Sequence, residues 1–159
     1  MANDFNDLIK KIKEATGSDK NLRISLSTTL AVHKPRIFAA GFDSKSTKIG
    51  NYSTKPISIS KKQQARQTGR TFFKGGYAEY KKAVGKNPGF VNFRNTDQMY
   101  ADYGLVGSSN KYGFGFQNSD NYQKSQWLEA KYKKDIFDLS QKEIDVLSDT
   151  LIEQIKKSL

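Results

Sequence analysis

Met99-Tyr-Ala-Asp-Tyr-Gly-Leu-Val-Gly-Ser-Ser-Asn-Lys-Tyr-Gly-Phe-Gly-Phe116 is the stretch in which the period of the sequence changes to two. Met99, Ala101, Tyr103 and Leu105 alternate with Tyr100, Asp102, Gly104 and Val106, and Tyr112, Phe114 and Phe116 alternate with Gly113 and Gly115. Joined through Gly107-Ser-Ser-Asn110, the two runs predict an antiparallel hairpin with one aromatic face. The glycines leave the opposite face open to close approach by another element. Phe90-Val-Asn-Phe93, just upstream, predicts a further strand.

Outside this stretch the apolar residues recur at helical spacing. Phe5, Leu8, Ile9 and Ile12 predict a helix over 5–15, ended by Thr16-Gly-Ser18. Leu22, Leu26 and Leu30 predict a second helix after Asp19, with Ile37 and Phe38 on the same stripe and Pro35 as a kink or break. Tyr77, Tyr80 and Val84 predict a short helix over 76–84, stopped by Gly85. Beyond the hairpin, Tyr122, Trp127 and Ala130 predict a helix over 119–134 capped by Asn118 or Ser119. Ser140-Gln-Lys-Glu143 is a capping box for a last helix carrying Ile144, Leu147, Leu151 and Ile155. Long N-terminal helices, a basic irregular loop, a small antiparallel sheet and C-terminal helices make an α+β fold, read as a single domain over 1–159. Its expected core includes Leu26, Leu30, Phe114, Phe116, Trp127, Ile144, Leu147, Leu151 and Ile155.

The chain of 159 residues carries a formal charge of +11, and all of that excess sits in the middle third. Residues 1–43 hold 7 basic and 5 acidic side chains and residues 97–159 hold 8 and 10, so the flanks cancel. Residues 44–96 hold 12 basic residues and one acidic residue, Glu79. Periodicity also fails over 41–71, and 43–71 reads as a basic extended loop or assembly arm bearing Lys45, Lys48, Lys55, Lys61, Lys62, Arg66 and Arg70, with short extended pieces expected around Tyr52 and Ile57 to Ile59. A field so localised suits an anionic contact, either DNA or an acidic protein surface.

Composition excludes several chemistries. There is no Cys, which removes thiol nucleophiles, disulfides and Cys-based zinc sites. His33 is the one His and reads as a packed or partly exposed helix residue rather than a ligand. Asp135, Asp138, Glu143, Asp145, Asp149 and Glu153 read as a solvated polar face rather than an acid/base pair. Gly85-Lys86 lacks the glycine spacing of a phosphate loop, and Gly113-Phe-Gly115 lies inside a strand pattern. The expectation is therefore no enzyme, no cofactor and no metal. No apolar run approaches a membrane span and the N-terminus lacks signal-peptide regions, so a soluble, non-secreted protein is expected.

The order of landmarks carries a resemblance. A helix runs into Ile37-Phe-Ala-Ala-Gly-Phe42, and a basic loop follows with Ile49-Gly-Asn-Tyr52 and Lys55-Pro-Ile-Ser-Ile-Ser60. Then come Val91-Asn-Phe-Arg-Asn-Thr-Asp-Gln-Met99, the hairpin, Gly115-Phe-Gln-Asn118, Trp127-Leu-Glu-Ala-Lys-Tyr132 and Ile136-Phe-Asp-Leu-Ser140. Over most of residues 20–159 this order resembles the virion morphogenesis and tail-completion proteins of tailed bacteriophages. That family commonly has Thr-Gly and a hydrophobic residue before the hairpin; here the stretch is Asn95-Thr-Asp-Gln-Met99 and the Gly is missing. The resemblance implies a structural virion protein assembled in the host cytoplasm. It implies a homo-oligomer, a hexameric ring at the head-to-tail junction, with connector and tail proteins as neighbours. Such a ring lines or seals the channel, with genomic DNA as a further candidate partner. The competing reading is a nucleic-acid-binding protein that uses the basic middle third without sequence preference.

Overall fold

Leu22 and Leu26 lie one turn apart and buried on helix α1 (Asp19–Pro35) in the computed structural model, which describes residues 10, 19–60, 69–108 and 111–158. Their neighbours on the buried face are polar, and the hydroxyls are satisfied locally. Ser25 Oγ donates to Asn21 O and Thr29 Oγ1 to Ser25 O, each at 2.9 Å. Pro35 has no N–H to donate, and the helix neither stops nor continues as α there. It widens into a π-turn (Arg36–Ala40) that buries Ile37 and Phe38 completely. Gly41 closes it at φ +70°, its N–H and that of Phe42 both reaching Arg36 O. The helix expected over 5–15 falls outside the described residues, apart from Lys10.

Where it is described, the segment 43–71 holds a tight turn, an irregular stretch over 50–56 and part of a two-stranded sheet. Asp43 Oδ1 accepts from the N–H groups of Lys45 at 3.0 Å and Thr47 at 2.8 Å, making a tight turn. Phe42 then bridges Lys48, and Ile49 enters the core. Farther on, β1 (Ile57–Ser60) pairs antiparallel with β2 (Arg70–Phe73), Ile57 opposite Phe73. The extended piece expected at Ile57 to Ile59 is β1, whereas charge and polarity conceal the turn, in which one buried Ile and an Asp-centred loop hold residues 43–49.

Helix α2 (Gly76–Ala83) and the short α3 (Gln98–Asp102) precede the hairpin of β3 (Tyr103–Ser108) and β4 (Lys111–Phe116). The alternation beginning at Met99 is therefore helical until Asp102 and strand only from Tyr103. Phe90–Phe93 is not a strand either: Val91 N–H donates to Gly50 O at 2.9 Å and Phe93 is left-handed at φ +55°. In the hairpin Tyr103 faces Phe116 and Leu105 faces Phe114, which puts the aromatic residues on one face as expected. That face meets Phe38, His33 and Phe137. A Cβ at Gly104 or Gly113 on the other face would meet no described atom within 4 Å.

Helices α4 (Ser119–Tyr132) and α5 (Gln141–Ser158) complete an α+β fold. One core gathers Ile37, Phe38, Ile49, Val91, Tyr103 and Ile136; a second joins Leu22 and Leu26 to Leu147 of α5. Leu26, Leu147 and Leu151 are buried, while Leu30, Phe114, Phe116 and Ile155 are half-buried. Two expected core residues lie outside. Ile144 is 37% exposed, since the inward positions of its turn belong to Glu143 and Leu147. Trp127 is 68% exposed, because the inward positions of α4 belong to Asn121 and Ser125. Two residues of helix turn the side chain by about 200°, which places Trp127 opposite Ser125.

Candidate binding cleft

Asn118 caps α4, its side-chain oxygen accepting from Asp120 N–H at 2.8 Å, and Asp102 Oδ2 takes the Asn121 amide at 2.9 Å. These polar contacts orient α4 so that Lys124, Trp127, Leu128 and Lys131 face a cleft of about 440 Å³. Ser53 and Ile57 of the basic segment, Tyr77 and Lys81 of α2 and Asn95 of the following turn line the other side. The surface is mostly apolar, and no carboxylate lines the cleft among the described residues.

Lys81 is 1% exposed. Its Nζ donates to Arg94 O at 2.5 Å and stands 5.0 Å from the Tyr52 ring centroid. Burial above all, helped by Lys86, brings its ammonium down to about 8. Tyr52, Tyr77 and Tyr80 follow one another at centroid distances of 5.3 Å. Burial, with the neighbouring tyrosines adding to it, pushes the Tyr77 hydroxyl up to about 12, so it stays protonated at neutral pH. Asn95 donates weakly to Tyr80 Oη at 3.4 Å, while its own Oδ1 is buried with no hydrogen-bond partner. Behind the wall Arg94 and Lys86 both hold Asp97, whose carboxyl they keep at about 2. The cleft offers apolar contact, three lysines and hydrogen-bonding tyrosines.

The lysines of the expected basic loop are not gathered here. Lys48, Lys55 and Arg70 are exposed, and Lys45 is exposed beside Asp135, with 3.3 Å between charged atoms. Lys61, Lys62 and Arg66 lie outside the described residues. The segment contributes uncharged wall to the cleft, and two of the three cations come from α4. A sequence signal for them exists: Lys124, Trp127 and Lys131 stand at i, i+3 and i+7, one face of a helix. No group of His, Asp or Glu suited to holding a metal occurs among the described residues, and no helix there is long and apolar enough to cross a membrane. Comparison with family models, with curated proteins and with solved structures gives no match to this chain.

Proposed function

We propose that the chain is a structural component of a tailed-phage virion that works by association: copies close into a ring at the head-to-tail junction, joining connector-side proteins to the tail around the DNA channel. The observation that carries the associative reading is Trp127, a large aromatic side chain 68% exposed on a helix whose inward face is polar. An exposed Trp beside an apolar cleft rimmed by lysines has the composition of a recognition hot spot. The order of landmarks from Ile37 to Ser140 supports the assignment to phage assembly.

A nucleic-acid reading is favoured by one observation, the exposure of Lys48, Lys55 and Arg70 in a segment almost free of acidic residues. Light scattering and electron microscopy of the purified chain separate the two. Closed multimeric particles are expected. A chain that stays monomeric at high concentration, and binds duplex DNA with a steep inverse dependence on salt, overturns the assembly reading in favour of nucleic acid.

A further inference from the structure

We propose that the cleft between α2 and α4 receives an acidic peptide segment of a partner protein, seating one or two apolar side chains against Trp127 and Leu128 with its carboxylates on Lys124 and Lys131. The proposal rests on the associative reading above and names the chemistry of the partner.

Three features select this occupant. The first is charge: Lys81, Lys124 and Lys131 face a cleft that no carboxylate lines among the described residues. Lys81 is buried with its hydrogen bond going to a backbone carbonyl, so it adds positive field to the cleft while the exposed Lys124 and Lys131 make the contacts. The second is size. About 440 Å³ accommodates a few side chains, and most of the surface to be covered is apolar. The third is hydrogen-bonding sense. Asn95 Oδ1 is a buried acceptor without a donor, and a peptide backbone presents an N–H at every residue but proline, whereas the donors of a DNA strand lie on its bases and not on its backbone. Lys124 and Lys131 are separated by about 10 Å of helix rise, roughly three residues of extended chain. Nucleic acid is less well served. Arg94, the guanidinium next to the cleft, is not among the cleft's lining residues; its Nε is held by Asp97 and it lies 4.3 Å from the Tyr100 centroid.

Trp127 is the only tryptophan, so its fluorescence reports the cleft directly. The probe is a short synthetic peptide in which aspartates flank a phenylalanine-leucine pair, titrated into the full chain. A blue shift of Trp127 emission is expected, weakening with salt, and the double variant Lys124→Glu/Lys131→Glu should lose about tenfold or more in affinity. Circular dichroism checks that this variant keeps the fold, both positions being exposed. The proposal is overturned if no binding occurs at millimolar peptide, or if the analogue with asparagine for aspartate binds as well. Unchanged affinity in the folded double variant also overturns it, as does preferential binding of single-stranded oligoadenylate. Ring formation without peptide binding would sink this inference and leave the assembly reading standing. Peptide binding by a chain that never multimerises would do the reverse.

Discussion

Arg36 Nε donates to Glu143 Oε1 at 2.7 Å, linking residues 107 apart in the sequence. The same guanidinium donates to Phe42 O at 2.8 Å and to Asp138 O at 2.7 Å, so one side chain fastens the π-turn, the turn after it and the approach to α5. The other carboxylate oxygen of Glu143 accepts from Ser140 N–H at 2.7 Å and from His33 Nδ1 at 3.1 Å. With Nδ1 as donor, His33 Nε2 accepts from the Tyr103 hydroxyl at 2.6 Å. His33 is therefore a structural member of a buried network, and Glu143, 3% exposed, is its hub rather than part of a solvated face. Breaking a buried pair from one side strands the remaining charge, so Glu143→Gln should cost about 3–5 kcal/mol in chemical denaturation.

The same carboxylate sets an acid limb in the stability profile. Burial pushes Glu143 up, but the hydrogen bonds from His33, Arg36 and Ser140 outweigh it and hold the group at about 2, below its ordinary 4.5. A carboxyl with a lower value folded than unfolded contributes stability that is complete above about 4.5 and lost as pH falls toward about 2. Wild-type unfolding free energy should fall steeply through that window, and Glu143→Gln should show a shallower fall. Asp97, Asp43 and Glu153, also held low, contribute to the slope that remains. Equal slopes in the two proteins would remove Glu143 as the source.

Both ends of this hub differ in legibility. Ser140-Gln-Lys-Glu143 announces the start of α5 because a capping box is a local device, and the aromatic alternation of 112–116 announces β4 for the same reason. The inward turn of Glu143 is set by Arg36 and His33, which no local pattern connects to it. The π-turn after Pro35 likewise depends on Ile37 and Phe38 finding a cavity built by Val91, Tyr103 and Ile136. In α4 the usual rule of apolar inside and polar outside is reversed at Asn121, Ser125 and Trp127, and periodicity read by hydrophobicity selects the wrong face. The cleft was hidden by that reversal and by the packing of Ile49 and Tyr52 against the core.

Gly41 tests the π-turn. It is left-handed, and a Cβ there would lie 2.4 Å from Phe90 Cδ2 and 2.6 Å from Val91 O. Gly41→Ala should lower the melting temperature strongly, since neither the backbone angle nor the carbonyl can yield cheaply. Gly113→Ala is the control: the position is in a strand with free space around the missing Cβ. An equal loss at both positions would contradict the packing described for the π-turn.

Trp127 and Leu151 form a second contrast. Leu151→Ala removes buried side chain from α5 and should destabilise by about 2–5 kcal/mol. Trp127→Ala removes a mostly exposed side chain, and the denaturation midpoint should move by much less. A loss at Trp127 as large as at Leu151 would return that residue to the core and close the cleft.

Lys81 gives a pH dependence of the same sign as Glu143, displaced to the alkaline range. Its ammonium is brought from 10.5 down to about 8 by burial first and Lys86 next, against the pull of Asp97. Between those values the unfolded chain binds the proton that the folded chain has released, so stability rises with pH from about 8 toward 10.5. Tyr52, Tyr77 and Tyr132 act against this at the upper end. Burial raises all three hydroxyls above 10.0, so the unfolded chain ionises them first and stability falls as pH passes that value. The two effects together predict a maximum between about 8 and 10 in unfolding free energy measured across the alkaline range. Lys81→Met should shrink the rising limb to the part that Lys34, also lowered by burial, supplies, and keep the falling one. A rise undiminished in Lys81→Met would mean that another group releases the proton, and the buried ammonium at the floor of the cleft would lose its experimental support.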